Sequence, residues 1–140
     1  MRGILLLVTG SLLASCANVP PAPERSLAKQ REYEQLLAGK VAGPPLSCLP
    51  SYRSNDMVVI DEHTIAFKDG SRRVYVNNMQ GGCSNLGGAY TLVTRTYGNA
   101  ELCRGDIGQV VDLSSHFQVG SCVFGDFIPY ERRASKAYFR

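Results

Sequence analysis

The stretch TIAFKDGSRRVYV, residues 64 to 76, decides the fold class of this chain. Apolar and polar side chains alternate along both halves of it, as they do in β-strands. The dipeptide Asp69-Gly70 lies between the halves, and both residue types tolerate the positive φ angles that tight hairpin turns require. The stretch therefore predicts a β-hairpin.

Two registers of this hairpin are compatible with the pattern. A two-residue turn pairs Phe67 with Arg72, and a four-residue turn pairs Phe67 with Val74. In either register, one face carries Ile65, Phe67, Val74 and Val76, and the other carries Thr64, Ala66, Lys68, Arg73 and Tyr75. A slip by one residue would mix the two sets, so we expect one of these two registers.

Further strand segments lie on both sides of the hairpin. MVVID (57–61) precedes it, with a turn at Asp61-Glu62-His63. The segments that follow are AYTLVTRTY (89–97), a turn at Gly98-Asn99, DIGQVVDLS (106–114) and CVFGDFIPY (122–130). About six short apolar, β-branched or aromatic segments with turn residues between them predict an all-β fold, a small antiparallel barrel or sandwich.

The chain has five cysteines, and four of them lie within or beside these strands: Cys48, Cys83, Cys103 and Cys122. Their spacing contains neither a CxxC pair nor the Cys/His pattern of a zinc site, so we expect two disulfides and no metal. Four cysteines allow three pairings. If the sheet closes on itself, its first and last strands become neighbours, which favours Cys48 with Cys122 and Cys83 with Cys103.

The fifth cysteine follows a segment with the three parts of an export signal. Arg2 is the positive start, residues 4–13 are apolar, and Ala14 and Ser15 are small. The apolar run is too short to span a membrane. LASC (13–16) closely resembles the bacterial lipobox, which implies that Cys16 is acylated, with palmitate among the acyl chains, and becomes the first mature residue. Ordinary secretory cleavage with a free Cys16 is the alternative.

Four segments result from this interpretation: a lipoprotein signal peptide (1–15), a lipid-anchored tether with a short helix (16–45), a disulfide-stapled β domain (46–131) and a basic tail (132–140). ANVPPAPE (17–24) is Pro-rich and predicts an extended tether. Residues 26–39 predict a helix with Ser26 as N-cap and Gly39 as its stop. So short a helix either docks on the domain or belongs to a flexible spacer, and we expect the spacer.

Charge is distributed unevenly along the chain. The formal net charge is +3, and the basic excess lies in the C-terminal residues ERRASKAYFR (131–140), which include the basic tail, and not in the rest of the β domain. Nucleic-acid binding is therefore not expected. The tail, with Tyr138 and Phe139, either contacts anionic lipid head groups or forms a solvated terminus, and the solvated terminus is the expectation.

No motif assembles a catalytic, cofactor or metal site. The histidines His63 and His116 lie in a turn and a polar loop, without a second ligand at motif spacing. Ser84 has no nucleophile-elbow context. The candidate acids, which occupy turn positions where carboxylates bond the local backbone, are Asp56, Asp61, Glu62 and Asp69. The candidate polar contact surface consists of Arg53, Arg73, Tyr75 and Arg95, and a solvated strand face explains these residues equally well.

A family resemblance rests on a series of segments in the domain: Cys48-Leu49 with Arg53, VVIDEHTIAF (58–67), RVYVNNM (73–79), Cys83, LCRGDIGQVVD (102–112) and SCVFGDFIPY (121–130). This series resembles a widespread bacterial family of small exported proteins described only as a domain of unknown function. The resemblance covers residues 46–131. It implies an exported domain with four paired cysteines and supplies no catalytic residue.

Three functions are compatible with these features. We expect a non-enzymatic, lipid-anchored binding or scaffolding module that faces the periplasm, with the membrane and an envelope protein or polysaccharide as partners. The alternatives are a small inhibitor of an enzyme such as a lysozyme, and a periplasmic hydrolase whose site is assembled from distant residues. Ala17 follows Cys16 where inner-membrane lipoproteins carry aspartate, so the outer membrane is the expected location.

Overall fold

The computed structural model describes residues 25–50, 56–95 and 101–133. One helix precedes ten strands in this part of the chain: α1 (Leu27–Leu37), β1 (Lys40–Ala42), β2 (Cys48–Leu49), β3 (Met57–Asp61), β4 (Thr64–Asp69), β5 (Arg73–Asn78), β6 (Tyr90–Thr94), β7 (Leu102–Cys103), β8 (Ile107–Asp112), β9 (Gln118–Val123) and β10 (Phe127–Arg132). The signal peptide, Cys16, the Pro-rich tether, Arg53, the Gly98-Asn99 turn and residues 134–140 lie outside the described residues.

The strands form three antiparallel sheets. Five strands follow the order β1-β10-β5-β4-β3, three follow β6-β8-β9, and β2 pairs with β7. The all-β prediction is therefore confirmed. Ten strands replace the expected six because β1, β2 and β7 are too short to show an alternating pattern, and because the last predicted segment divides into β9 and β10.

One apolar cluster joins all three sheets. The five-stranded sheet contributes Ile65, Phe67 and Tyr75, the two-stranded sheet contributes Leu49 and Leu102, and the three-stranded sheet contributes Leu92, Val110 and Cys122. Phe127 contacts both Phe67 and Phe124, with ring centroids 5.9 and 6.2 Å apart. Burial of these side chains is the main force that holds the sheets together.

The hairpin forms, but in neither of the two predicted registers. Asp69 pairs with Arg73 and Phe67 pairs with Tyr75, so the turn has three residues and begins at Gly70, where φ is +62°. This register moves Tyr75 into the core beside Phe67. It moves Val74 and Val76 to the opposite face, so the predicted division of side chains between the faces is wrong for β5.

That opposite face is covered by α1. Tyr33, Leu36 and Leu37 of the helix pack against a second apolar cluster formed by Ile60, Ala66, Val74 and Val76. Ser26 caps the helix by accepting a hydrogen bond from the Lys29 N–H. The expectation that the helix belongs to a flexible spacer is therefore wrong, because the sheet has an apolar face that the helix buries.

The disulfides also differ from the expected nested pairing. Cys48 is bonded to Cys103, and Cys83 is bonded to Cys122. The nested pairing assumed that the strand after Cys48 would neighbour the last strand. Instead, β1 pairs with β10, and Cys48 lies directly opposite Cys103 in the pairing of β2 with β7.

Candidate binding site

The two histidines occupy separate turns. His63 follows β3, where its carbonyl oxygen accepts a hydrogen bond from the Met79 N–H. Its ring lies against Gly82, so close that a Cβ on this glycine would be 2.8 Å from Nε2. His116 is exposed in the β8–β9 turn, with a φ of +61°. Both histidines shape turns.

Asp61 belongs to a partly buried network between the helix and the sheet. Its Oδ2 accepts a hydrogen bond from Arg25 Nε at 2.6 Å, and its Oδ1 accepts one from the His63 N–H at 2.8 Å. Burial raises the pKa of Asp61, but the hydrogen bonds from Arg25 and His63 and the charge of Arg25 outweigh it, so the pKa lies below its ordinary value. The Arg25 guanidinium also lies 4.4 Å from the Tyr33 ring centroid, and burial, followed by Tyr130, raises the pKa of Tyr33.

The other sequence candidates remain apart from this network. Asp69 lies at the β4–β5 turn, and Glu62 and Ser84 are exposed. Asp56 lies before β3 and is partly exposed. The structure therefore does not bring the four candidate acids to one site.

Among the described residues, one group of side chains has its ligand atoms close enough together to hold a metal ion: Cys48, Glu101 and Cys103, within 4.8 Å of one another. Both cysteines of this group are joined in the disulfide. A disulfide sulfur lacks the thiolate charge that binds metals, so the group in this form is a disulfide with a neighbouring carboxylate.

Arg73 is the centre of an ion-pair cluster at the β4–β5 turn. Its guanidinium contacts Glu131 at 2.5 Å and Asp69 at 3.4 Å, and its Nη1 donates to the Tyr75 hydroxyl at 3.2 Å. Tyr75 itself is 4 % exposed, so its prediction as a surface residue is wrong. Arg95 lies in a different cleft, beside Asp106 and Gln109.

A row of basic residues crosses two neighbouring strands and the adjacent β4–β5 turn at this end of the five-stranded sheet. Lys40 of β1 pairs with Arg132 of β10. The next ladder position places Arg132 opposite Arg72, and the Arg132 N–H donates to the Arg72 carbonyl oxygen at 3.0 Å. Neighbouring strands are about 5 Å apart, so three cationic residues lie side by side. We call Lys40, Arg132 and Arg72 the cationic row.

Two clefts lie beside the row. One, of about 350 Å³, is lined by Asp69, Arg72, Arg73, Glu131 and Arg132. The other, of about 450 Å³, runs along β1 and β10 and includes Pro129, Arg132 and Arg133. Arg132 and Glu131 line both clefts, Arg72 lines the first, and Lys40 lines neither. A ligand in the first cleft therefore has access to Arg72 and Arg132.

Sequence reasoning missed this row. SRRV (71–74) and YERR (130–133) each contain two adjacent arginines, and this repetition is the signal that could have drawn attention to them. Their juxtaposition depends on the pairing of β5 with β10 and of β10 with β1. Local pattern does not encode such long-range pairing.

A second exposed feature is the tip of the β8–β9 hairpin. Leu113 is 59 % exposed and Phe117 is 74 % exposed. Asp112 Oδ1 holds the turn by accepting hydrogen bonds from the Ser114 hydroxyl and from the N–H groups of Ser114 and Ser115. The Ser114 hydroxyl, followed by these N–H groups, lowers the pKa of Asp112.

Comparisons of this chain with protein-family models, with curated proteins and with solved structures find no match. The resemblance to an exported bacterial family therefore stays a prediction. Within the described residues, no helix is long and apolar enough to cross a membrane.

Proposed function

We propose that this protein is a lipid-anchored binding module of the cell envelope. The supporting observation is the contact of Arg25 with Asp61 and Thr64, which ties the first described residue to the β3–β4 turn. Nine peptide bonds separate Cys16 from Arg25, and a chain of that length reaches at most about 30 Å. Acylation of Cys16 would hold the folded domain within that distance of the membrane.

The test is the substitution Cys16→Ser. We expect the variant to leave the membrane fraction, or to accumulate as an unprocessed precursor, because the thiol that receives the lipid is absent. Fractionation with mass spectrometry of the intact protein measures both outcomes. Unchanged mass and unchanged membrane partition would refute the anchoring. Cys48→Ser is unsuitable as a control because it breaks a disulfide. Ser15→Ala, which keeps Cys16 and a small residue before it, is the matched control and should stay in the membrane fraction.

The exposed tip of the β8–β9 hairpin supports a second candidate, an inhibitor that inserts a loop into an enzyme cleft. Phe117 and Leu113 present apolar surface on a turn that Asp112 holds in place, and a preorganised loop loses little entropy on binding. If a lysozyme is the target, the purified protein should slow cell-wall lysis. Phe117→Ser should lose this effect, whereas Val93→Ser on the exposed face of β6 should keep it. Equal potency of the two variants, or no inhibition by the unaltered protein, would reject this candidate.

The hydrolase has less support. Asp61 and Tyr33 have shifted pKa values and lie in one network, but the contacts of that network attach α1 to the sheet. The binding role therefore remains the proposal.

A further inference from the structure

We infer that the cationic row is a binding site for a phosphate-bearing ligand. Its three members come from segments that are distant in sequence. Lys40 is aligned with Arg132 by the β1–β10 register, and Arg132 is aligned with Arg72, the last residue of the β4–β5 turn, by a backbone hydrogen bond. This inference rests on the proposed binding role and names its ligand class. It does not depend on the acylation of Cys16.

The nearby carboxylates are already engaged by a different arginine. Glu131 and Asp69 both pair with Arg73, which occupies the ladder position next to Arg72. Residues alternate between the two faces of a sheet, so Glu131 and Arg132 leave β10 on opposite faces, although both line the cleft of about 350 Å³ at the end of the sheet. Within the described residues, no acidic side chain forms an ion pair with Arg72, Arg132 or Arg133.

Lys40 has a structural partner that leaves its charge in place. Its Nζ donates to the carbonyl oxygen of Leu36 at 2.6 Å, in the last turn of α1. A cation is favourable at a helix C-terminus, and the bond fixes one end of the row against the helix. Among residues 25–50, 56–95 and 101–133, no carboxylate forms an ion pair with Lys40.

Alignment of like charges on adjacent strands is unfavourable for folding. Like charges directly opposite one another destabilise a sheet, and the row contains two such neighbours in succession. The chain has a formal net charge of only +3, while this end carries Lys40, Arg72, Arg73, Arg132 and Arg133 against Asp69 and Glu131. A bound anion would relieve this repulsion.

Phosphate is the anion whose chemistry fits best. Guanidinium groups donate paired hydrogen bonds to phosphate oxygens, and one phosphoryl group offers enough oxygens and charge to bridge Arg72 and Arg132. The cleft of about 350 Å³ beside them is large enough for such a group. The two carboxylates that also line it, Asp69 and Glu131, are paired with Arg73. The phosphate could belong to a lipid head group or to a soluble or polymeric envelope component.

The experiment measures binding of inorganic pyrophosphate to the full-length protein by calorimetry, at low and at physiological salt. We expect the dissociation constant to rise at least tenfold in Arg132→Gln and in Arg72→Gln, and to stay within twofold in Arg95→Gln, which removes the same charge elsewhere. Because Arg132→Gln also removes like-charge repulsion, its Tm without pyrophosphate should rise by about 2 °C at low salt.

A second measurement identifies the source of the phosphate. The Cys16→Ser protein, which lacks the acylation site, is mixed with phosphatidylcholine vesicles with and without phosphatidylglycerol. If the protein binds the anionic vesicles and Arg132→Gln abolishes this binding, the result supports the site and assigns the phosphate to a lipid head group. Pyrophosphate binding without vesicle binding supports the site and assigns a soluble or polymeric phosphate.

Two results would overturn the inference. One is the absence of pyrophosphate binding by the unaltered protein, and the other is equal binding by Arg132→Gln, Arg72→Gln and Arg95→Gln. Neither result would affect the membrane fractionation of Cys16→Ser, so failure of the phosphate site and failure of the anchoring are distinguishable.

Discussion

Asp61 shows how one side chain connects the N-terminal helix to the sheet. It ends β3, accepts hydrogen bonds from Arg25 and from the His63 N–H, and is 24 % exposed in the ion pair. Its position in the sequence predicts a turn acid, and its bond to the His63 N–H is of that kind. The partner Arg25 lies 36 positions away, and no local pattern indicates a contact over such a separation.

The lowered pKa of Asp61 predicts an acid-sensitive contribution to stability. A carboxyl group whose pKa is lower in the folded state stabilises the fold above its unfolded pKa, and this stabilisation is lost as pH falls through the folded value. The free energy of unfolding should therefore decrease as pH falls below the ordinary Asp value of 3.8. Asp61→Asn should lower stability by about 1 kcal/mol at pH 7 and reduce this acid dependence, as measured by urea unfolding between pH 2 and pH 7.

The control for this prediction is Asp126→Asn. Asp126 pairs with Arg104 at 3.1 Å on an exposed part of the surface, where an ion pair contributes little. If the stability of Asp61→Asn falls with pH in the same way as that of the unaltered protein, the acid-sensitive contribution does not come from Asp61.

The β4–β5 hairpin shows which features of an element the sequence predicts. Alternation and Asp69-Gly70 were sufficient to predict two strands and their turn, because both signals are local. The register was wrong because both faces of this sheet are buried, one against the core and one against α1. Val74, Val76 and Tyr75 all suit a buried face, so hydrophobicity did not distinguish a three-residue turn from the alternatives.

The short strands show which elements the sequence does not predict. Cys48–Leu49 and Leu102–Cys103 contain two residues each, too few for a period of two to be recognised. Their pairing brings Cys48 opposite Cys103, and β1 similarly brings Lys40 to Arg132. Both the disulfide pairing and the cationic row depend on these strands, which explains why sequence analysis predicted the cysteines but neither their partners nor the row.

The two disulfides connect different parts of the whole molecule. Cys48–Cys103 closes the two-stranded sheet, and Cys83–Cys122 ties the segment after β5 to β9 of the three-stranded sheet. Their sequence separations are 55 and 39 residues. Loop entropy alone then assigns each bridge about 4 kcal/mol, a large fraction of the stability of a domain this small.

The two disulfides should differ in their contribution to the free energy of unfolding because they differ in burial, and not because they differ in loop length. Cys83 is 0 % exposed and Cys122 is 4 % exposed, whereas Cys48 and Cys103 are partly exposed. The double variant Cys48→Ala/Cys103→Ala should lose about 4 kcal/mol in urea unfolding. Cys83→Ala/Cys122→Ala should lose about 1 kcal/mol more, because it also removes packed sulfur atoms from the core.

Peptide mapping of the unaltered protein without reductant should give a Cys48–Cys103 linked peptide. A Cys48–Cys122 peptide would contradict the pairing of β2 with β7, since that pairing places Cys103 and not Cys122 opposite Cys48.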